Sequence, residues 1–297
     1  MQFATVAYHP QSPESQHQFH VRLNRFNYTR LAPSCGDAHW QTELSTEETL
    51  RIAEGHFVES ERRRIRAAGR DLPRNADGFM RWFEDLRDNG PGQNDRLFPW
   101  LATAATLDQM RWFLTQEAAG EAGFDDLVAL TQIRFPARAK LEMARNYWDE
   151  MGRGHERGMH GLMLSAAVRE LHLNPSPETT IWEGLALSNL MVALAINRRY
   201  AYHSVGALGV IEMTAPGRVS LVNEGLKRLG APEAARTYFQ LHAGLDVKHS
   251  KAWNEEVIAP LVAAHPEAAT AIAEGALMRL AAGARCFASY RVHFGRD

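Results

Sequence analysis

From residue 45 onward the sequence is a series of helical segments separated by short breaks, and this restricts the fold more than any other feature. Ser45-Thr46-Glu47-Glu48 and Thr106-Leu107-Asp108-Gln109 are capping-box patterns, each of which opens a helical segment. No convincing strand pattern follows residue 44. The body is therefore predicted to be all-α, with helices over about 45–68, 106–119, 136–150, 156–172, 178–213, 216–229, 233–262 and 266–290.

Residues 1 to about 44 differ from this body because they are polar and interrupted by prolines and a glycine. They contain only short alternating stretches, so we expect an irregular N-terminal extension or a short hairpin. We place a domain boundary after residue 95. Residues 1–95 are then an N-terminal extension with a covering helix, and residues 96–297 are a helical domain.

The composition is that of an ordinary globular protein and restricts the partners. The net charge is -2, which gives no basic field, so neither nucleic acid nor a membrane is expected as a partner, and a small molecule is. Cys35 and Cys286 are the only cysteines, which indicates neither a disulfide framework nor a zinc-thiolate cluster. Without a signal peptide or a long apolar run, the chain is expected to be cytoplasmic.

One predicted helix carries three metal-binding residue types on a single face. His242, Asp246 and His249 stand at i, i+4 and i+7, so the two histidines are two turns and roughly 10 Å apart along the axis. Histidines that far apart do not easily share one ion. A carboxylate flanked by two imidazoles suits two metals a few Å apart. The alternative is a chance pattern without a metal.

Two carboxylates continue apolar stripes of their helices. Glu212 follows Val205 by seven residues and Leu208 by four, and Glu117 follows Phe113 by four. A carboxylate in the core requires a compensating cation, which is either a metal or an arginine. Arg218 is the alternative partner of Glu212.

Residues 141–160 form a second dense cluster, with four acids, two histidines and three glycines. Glu150 and His160 flank its glycine-rich break, where the chain can bend so that both point into one cavity. The other acids also fit a solvated helix face, and His155 fits the surface.

These candidates form a mixed imidazole and carboxylate set without thiols. Such a set in a helical bundle favours iron or manganese over structural zinc, and a pair of irons is the usual occupant. It also suits reactions with dioxygen. The candidate ligands are Glu117, Glu150, His160, Glu212, His242, Asp246 and His249.

The order of these motifs resembles the heme-oxygenase-like diiron oxidases and oxygenases, the iron-containing redox enzyme family. The resemblance covers about residues 96–295 and rests on the segment 146–152 followed by His160, on Glu212, and on the H-x3-D-x2-H stretch. It implies a heme-oxygenase-like helical bundle and iron-binding roles for His160, Glu212, His242, Asp246, His249 and an early carboxylate. Glu117 and Glu150 both fit the early position, and Glu142 is the third choice.

The resemblance implies a non-heme diiron enzyme that uses O2 as co-substrate to oxidise a small organic compound. Members of the family are associated with oxidative decarboxylation or fragmentation of fatty acids and amino acids, with desaturation and with N-oxygenation. Two iron ions and no heme are expected, with electrons from the substrate or an external donor. The alternatives are a non-catalytic or vitamin-handling helical protein of related topology and a dimetal hydrolase.

Two further expectations concern the surroundings of this site. Polar and basic residues before Glu212 offer groups that bind a carboxylate, but we favour a structural role for them. His203 is nine residues from Glu212 and so faces away from the same metals. The polar and basic residues in question are Arg198, Arg199, Tyr200, Tyr202 and His203.

Unused apolar helix faces would support a homodimer.

Overall fold

The computed structural model describes residues 12–36, 40–66, 72–73 and 75–296. These residues form α-helices joined by short 3-10 and π segments, and no strand occurs among them, which confirms the all-α prediction. The α-helices are α1 (Pro13–Leu31), α2 (Trp40–Ile65), α3 (Ala76–Asn89), α4 (Leu97–Thr103), α5 (Leu107–Gly120), α6 (Phe124–Thr131), α7 (Ala137–Glu150), α8 (His160–Glu170), α9 (Trp182–Ile196), α10 (Ala201–Arg228), α11 (Glu233–Ala252), α12 (Ala259–Ala264) and α13 (Ala268–His293).

Helix α10 is the centre of the bundle and packs most extensively against α11 and α13. Its crossing with α13 depends on glycine. A Cβ atom at Gly206 would lie 1.8 Å from the carbonyl oxygen of Ile272, and one at Gly275 would lie 1.8 Å from that of His203. The two backbones therefore touch where any side chain would hold them apart.

The segment around α10 is also the one described helix that is long and apolar enough to cross a membrane. In the bundle, 56% of its most apolar 18-residue stretch is buried inside the protein. Its hydrophobicity is therefore that of a core helix, which is apolar around most of its circumference.

The expected irregular N-terminal extension is wrong where the structure describes it, because residues 13–31 form α1. This helix starts at a capping box in which Ser12 and Ser15 bond each other's backbone N–H groups. It packs against α9, where Asn27 Nδ2 donates to Asn189 Oδ1 at 2.9 Å. Residues 40–44 of the expected extension belong to α2, and residues 1–11 and 37–39 lie outside the described residues.

The sequence hid α1 because its buried face is mostly polar. Gln16, His20, Leu23 and Asn27 are buried and recur at helical spacing, but only one of the four is apolar. A search for hydrophobic periodicity therefore finds no helix there.

Several helix boundaries also differ from those predicted. The predicted break between residues 213 and 216 does not occur, since Pro216 lies inside α10, and the chain breaks at Asn197 instead. Packing of α10 on both sides outweighs the backbone hydrogen bond that a proline removes. The predicted helix over 233–262 is divided by a π-helical segment, Trp253–Ile258, and α3, α4 and α6 were not predicted.

The N-terminal helices share the main apolar core. Phe57 of α2 and Phe79 and Phe83 of α3 belong to the same buried cluster as Leu190 of α9 and Leu208 of α10. The boundary after residue 95 stays a prediction, but α1 to α3 pack on the bundle directly.

Candidate metal centre

Four helices bring six of the seven candidate ligands together in the interior. Within each of two groups, one nitrogen or oxygen atom from every residue lies within 4.8 Å of the others. The first group is Glu150, His160 and His242. The second group is Glu212, Asp246 and His249.

Helix α11 supplies half of these side chains, as its spacing predicts. His242, Asp246 and His249 are all buried, on the face that packs against α10 and α8. His242 belongs to one group, while Asp246 and His249 belong to the other. The separation of the two histidines along the helix therefore corresponds to two adjacent groups.

A glycine-dependent loop brings Glu150 and His160 together. Glu150 is the last residue of α7 and His160 the first of α8, and between them the backbone folds back on itself. Gly152 has a φ of +61°, and a Cβ there would lie 2.3 Å from the carbonyl carbon of Gly158. Only glycine permits this approach. As a result His160 Nδ1 lies 2.7 Å from Glu150 Oε2.

Hydrogen bonds fix which nitrogen of each α11 histidine is free. The backbone carbonyl of Tyr238 accepts a hydrogen bond from His242 Nδ1 at 2.7 Å, because a carbonyl oxygen cannot donate. His249 Nε2 lies 3.1 Å from Asp149 Oδ2, and Asp149 also accepts from Arg153 Nε at 2.6 Å. This leaves Nε2 of His242 and Nδ1 of His249 as ligand atoms.

Several buried atoms of the centre have no hydrogen-bond partner. They include Asp246 Oδ1, and also His160 Nδ1 and His249 Nδ1, whose contacts with Glu150 at 2.7 Å and Glu212 at 3.6 Å are not hydrogen bonds. Buried polar atoms without a partner are rare in native proteins and require an explanation. Metal–ligand distances of about 2.1 Å place neighbouring ligands roughly 3 Å apart, close to the separation of His160 Nδ1 and Glu150 Oε2. The residues present therefore fit a metal ion.

The electrostatics of the centre also favour a cation. Burial, followed by the charge of Glu212, raises the pKa of Glu150 and that of Asp246 to about 9 each. Among the described residues, no arginine or lysine forms an ion pair with any of these three carboxylates. A metal ion would supply the missing positive charge.

The three histidines of the centre differ in their pKa values. Burial lowers the pKa of His160 and that of His242 to about 4 each, so both are neutral and able to bind a metal. Burial also opposes charging of His249, but the carboxylates of Glu212 and Asp149 outweigh it and raise the pKa of His249 to about 9. A metal ion would take the place of that proton.

Comparison with known proteins agrees with this chemistry. The model of a family described as iron-containing redox enzymes matches residues 111–284, which is more than half of the chain and includes all six converging residues. The chain belongs to the iron-containing redox enzyme family. No curated protein matches it.

One solved structure has a fold similar to that of this chain. It is a CADD-like protein of unknown function from Nostoc punctiforme, with a TM-score of 0.55 and 16% sequence identity over 73% of this chain and 95% of that chain. At this identity the similarity concerns the fold alone.

The other candidate carboxylates of the chain lie outside both groups. Glu117 Oε1 accepts a hydrogen bond from Tyr290 Oη at 2.8 Å, and Glu142 pairs with Arg145. The structure thus groups Glu150, and not Glu117, with His160 and His242. Ligation by Glu117 remains a prediction that the geometry does not support.

The residues before Glu212 form structural contacts. His203 Nε2 lies 3.0 Å from Glu274 Oε2, away from the centre as expected, and Arg198 donates to backbone carbonyls, including that of Ile133 at 2.5 Å. Arg218, the alternative partner of Glu212, donates to Thr214 Oγ1 at 3.2 Å instead.

Two residues of α7 that support the centre were missed as functional residues. Asn146 Nδ2 donates to Glu212 Oε1 at 2.6 Å, and Asp149 holds His249. Both were part of the segment that carried the family resemblance. For Asn146 the spacing was a usable signal, because it precedes Glu150 by four residues and so lies on the same helix face.

A cavity of about 70 Å³ adjoins the centre. Glu150, Glu212, His242 and Asp246 line one side of it, and its other walls include Glu121 and residues such as Phe124, Ile211, Val219 and Tyr238. A small molecule in this cavity would contact ligands of both groups.

Proposed function

We propose that this protein is a non-heme diiron oxidase or oxygenase that activates dioxygen to oxidise a small organic substrate. The observation that carries the proposal is the pair of adjacent three-residue groups, each of mixed imidazole and carboxylate type, with donor atoms that the protein leaves unpaired. Membership of an iron-containing redox enzyme family supports iron as the metal.

Each group would hold one iron ion, with Glu150, His160 and His242 around the first and Glu212, Asp246 and His249 around the second. Bound iron would supply the electron transfer to dioxygen that no side chain of this chain can perform. Because the carboxylates line the centre, we propose that heme is not the cofactor.

The protein's own contribution is to orient ligands and to exclude water. The Tyr238 carbonyl, the Asp149 carboxylate and the Asn146 amide fix His242, His249 and Glu212 respectively. Such supporting contacts commonly change metal affinity 10- to 100-fold when removed. The apolar walls of the 70 Å³ cavity limit water around a bound substrate.

The reaction type is proposed at the level of oxidative decarboxylation or fragmentation, desaturation or N-oxygenation of a fatty-acid or amino-acid-like compound. Electrons would come from the substrate or an external donor. We further propose a cytoplasmic location. A homodimer is also proposed, for which Trp40, Leu44 and Ile52 of α2 offer exposed apolar side chains.

The test is anaerobic loading with ferrous iron, followed by mixing with air. We expect about two irons per chain and a transient coloured species. His242→Ala and His249→Ala should each lower the iron content and remove the colour. His155→Ala, an exposed histidine in the loop between α7 and α8, should leave both unchanged.

Other results would point elsewhere. A protein that takes up no iron, and that is indifferent to both α11 substitutions, contradicts the proposal and favours the non-catalytic alternative. Turnover that is independent of oxygen with zinc or manganese would favour a dimetal hydrolase.

A further inference from the structure

A second cavity, of about 160 Å³, contains two acidic and two basic side chains that attract one another but form no ion pair with one another. We call it the charged cavity. Glu117 and Glu121 lie on its α5 side, Arg218 comes from α10, and Arg279 comes from α13. Its remaining walls are mainly apolar and include Phe113, Leu114, Val222 and Phe239.

Arg279 has no partner in the described part of the chain. Its side chain is partly exposed and lines the cavity, where it forms neither a hydrogen bond nor an ion pair, and Glu117 and Glu121 act on it only through their charge. A guanidinium carries five N–H donors and a permanent charge, so leaving it unpaired in the interior is costly. This arrangement is expected where an anionic group of a ligand completes the contacts.

Arg218 is also weakly held. Its hydrogen bonds to Thr214 Oγ1 and Gln93 Oε1 are 3.2 and 3.4 Å long, and it lies over the rings of Phe98 and Phe287. Burial lowers the pKa of Arg218 to about 9. It too is available to a carboxylate.

The two glutamates provide the opposite charge. Both have exposed side chains that line the cavity. Glu117 accepts a hydrogen bond from Tyr290 Oη, and neither glutamate forms an ion pair with Arg218 or Arg279 within the described residues. The cavity thus has a basic side and an acidic side that no ion pair joins.

Two guanidinium groups and two carboxylates balance each other, so the cavity matches a ligand that also carries both charges. A simple fatty acid would satisfy the arginines and leave the glutamates without a cation. A simple amine would do the reverse. We propose that the charged cavity binds a small zwitterion, an amino-acid-like compound whose carboxylate pairs with Arg279 and Arg218 and whose ammonium pairs with Glu117 and Glu121.

The charged cavity leads towards the metal centre. Glu121, Ile211, Ala215, Val219 and Tyr238 line both it and the 70 Å³ cavity beside Glu150 and His242. A volume of about 160 Å³ accommodates on the order of ten non-hydrogen atoms. Because a zwitterion held there would extend towards the iron ligands, it would be the substrate; this assignment rests on the proposed function.

Calorimetric binding to the native full chain, metal-free and after anaerobic iron loading, tests the inference directly. The probes share a six-carbon skeleton: L-norleucine and 6-aminohexanoate carry both charges, hexanoate carries one, and hexylamine carries the other. We expect at least one zwitterion to bind tenfold or more tightly than both singly charged probes.

Variants that remove one charge test which side chains bind the carboxylate and which bind the ammonium group. Arg279→Gln should weaken zwitterion binding tenfold or more, and Arg63→Gln on the exposed face of α2 should not. Glu121→Gln should weaken the zwitterion and strengthen hexanoate, with the exposed Glu224→Gln as control. Glu117→Gln repeats the test if Glu121→Gln does not fold, which circular dichroism monitors.

Three outcomes would overturn the inference: hexanoate binding as tightly as the better zwitterion, hexylamine doing so, or no binding of either zwitterion to the folded native chain. These outcomes are distinct from failure of the proposed function. Binding to the metal-free protein reports on the charged cavity, whereas iron uptake and reaction with air report on the metal centre.

Discussion

Helix α10 contributes to two buried polar clusters that differ in whether their acidic side chains pair with arginine. Around His203 lies an arginine-paired network, in which Glu274 contacts both His203 at 3.0 Å and Arg62 at 2.8 Å. Nine residues further along the helix, Glu212 belongs to the candidate metal centre, where carboxylates lie near other carboxylates and no arginine pairs with them in the described chain.

The pKa values express this difference. Burial alone would raise the pKa of Glu274, but its hydrogen bonds to His203 and Arg62 lower it overall. Burial and the neighbouring Glu212 instead raise the pKa of Glu150 to about 9. Buried acids paired with arginine therefore indicate a structural role, and buried acids without one indicate a site for a cation.

The largest expected effect separates two carboxylates that the sequence could not distinguish. Glu150→Gln removes a charged ligand atom from the first group, so iron content should fall to about one ion per chain or less. Glu117→Gln should leave iron content near two, because Glu117 lies outside both groups. Elemental analysis after anaerobic loading measures both. Iron loss in Glu117→Gln alone would reverse the assignment.

A smaller effect is expected for the positioning residue Asp149. Asp149→Asn can no longer favour the orientation and protonation in which His249 Nε2 donates, so iron affinity should fall about 10- to 100-fold. Competition with a chelator measures the change. Asp85→Asn on the exposed face of α3 is the control. Equal affinities in the two variants would show that the Asp149 contact does not support metal binding.

The arginine-paired network should respond in stability instead. His203→Leu leaves one hydrogen bond of Glu274 unmade, which costs about 1–2 kcal/mol in free energy of unfolding. Urea unfolding of the iron-free protein measures this cost. Iron content should remain that of the native chain, and its loss would place His203 in the centre after all.

The last prediction concerns the pH dependence of the stability of the metal-free protein. The folded-state pKa values of Glu150 and Asp246 are about 9, above their ordinary values of 4.5 and 3.8. Their protonated forms favour folding below about pH 4, and this contribution is lost as the pH rises towards 9. The slope is at most about 1.4 kcal/mol per pH unit for each bound proton.

Thermal unfolding across this range checks the sign, and Asp246→Asn should flatten the slope. Iron-loaded protein should not show the decline, because the metal stabilises the ionised carboxylates. A metal-free protein whose stability rises from pH 6 to 9 would contradict the proposed carboxylate crowding.

Local pattern was sufficient for features that one helix determines. The 3.6-residue period placed His242, Asp246 and His249 on one buried face and put Glu212 on an apolar stripe, and both are observed. It failed for α1, whose buried face is mostly polar, and at Pro216, where packing outweighs local propensity.

The choice between equivalent local patterns required the tertiary structure. Glu117 and Glu212 both continue apolar stripes, yet Glu212 reaches the candidate metal centre and Glu117 lines the charged cavity. No local sequence pattern predicts that Asp149 contacts His249 or that Arg279 lines the charged cavity.

Helical periodicity depends only on neighbouring residues, so the all-α fold and the side chains able to bind metal could be predicted from the sequence alone. Which of those side chains meet depends on tertiary packing. Contacts such as that of Glu150 with His160 depend on the glycine loop and the crossings of helices distant in sequence, which no single segment encodes.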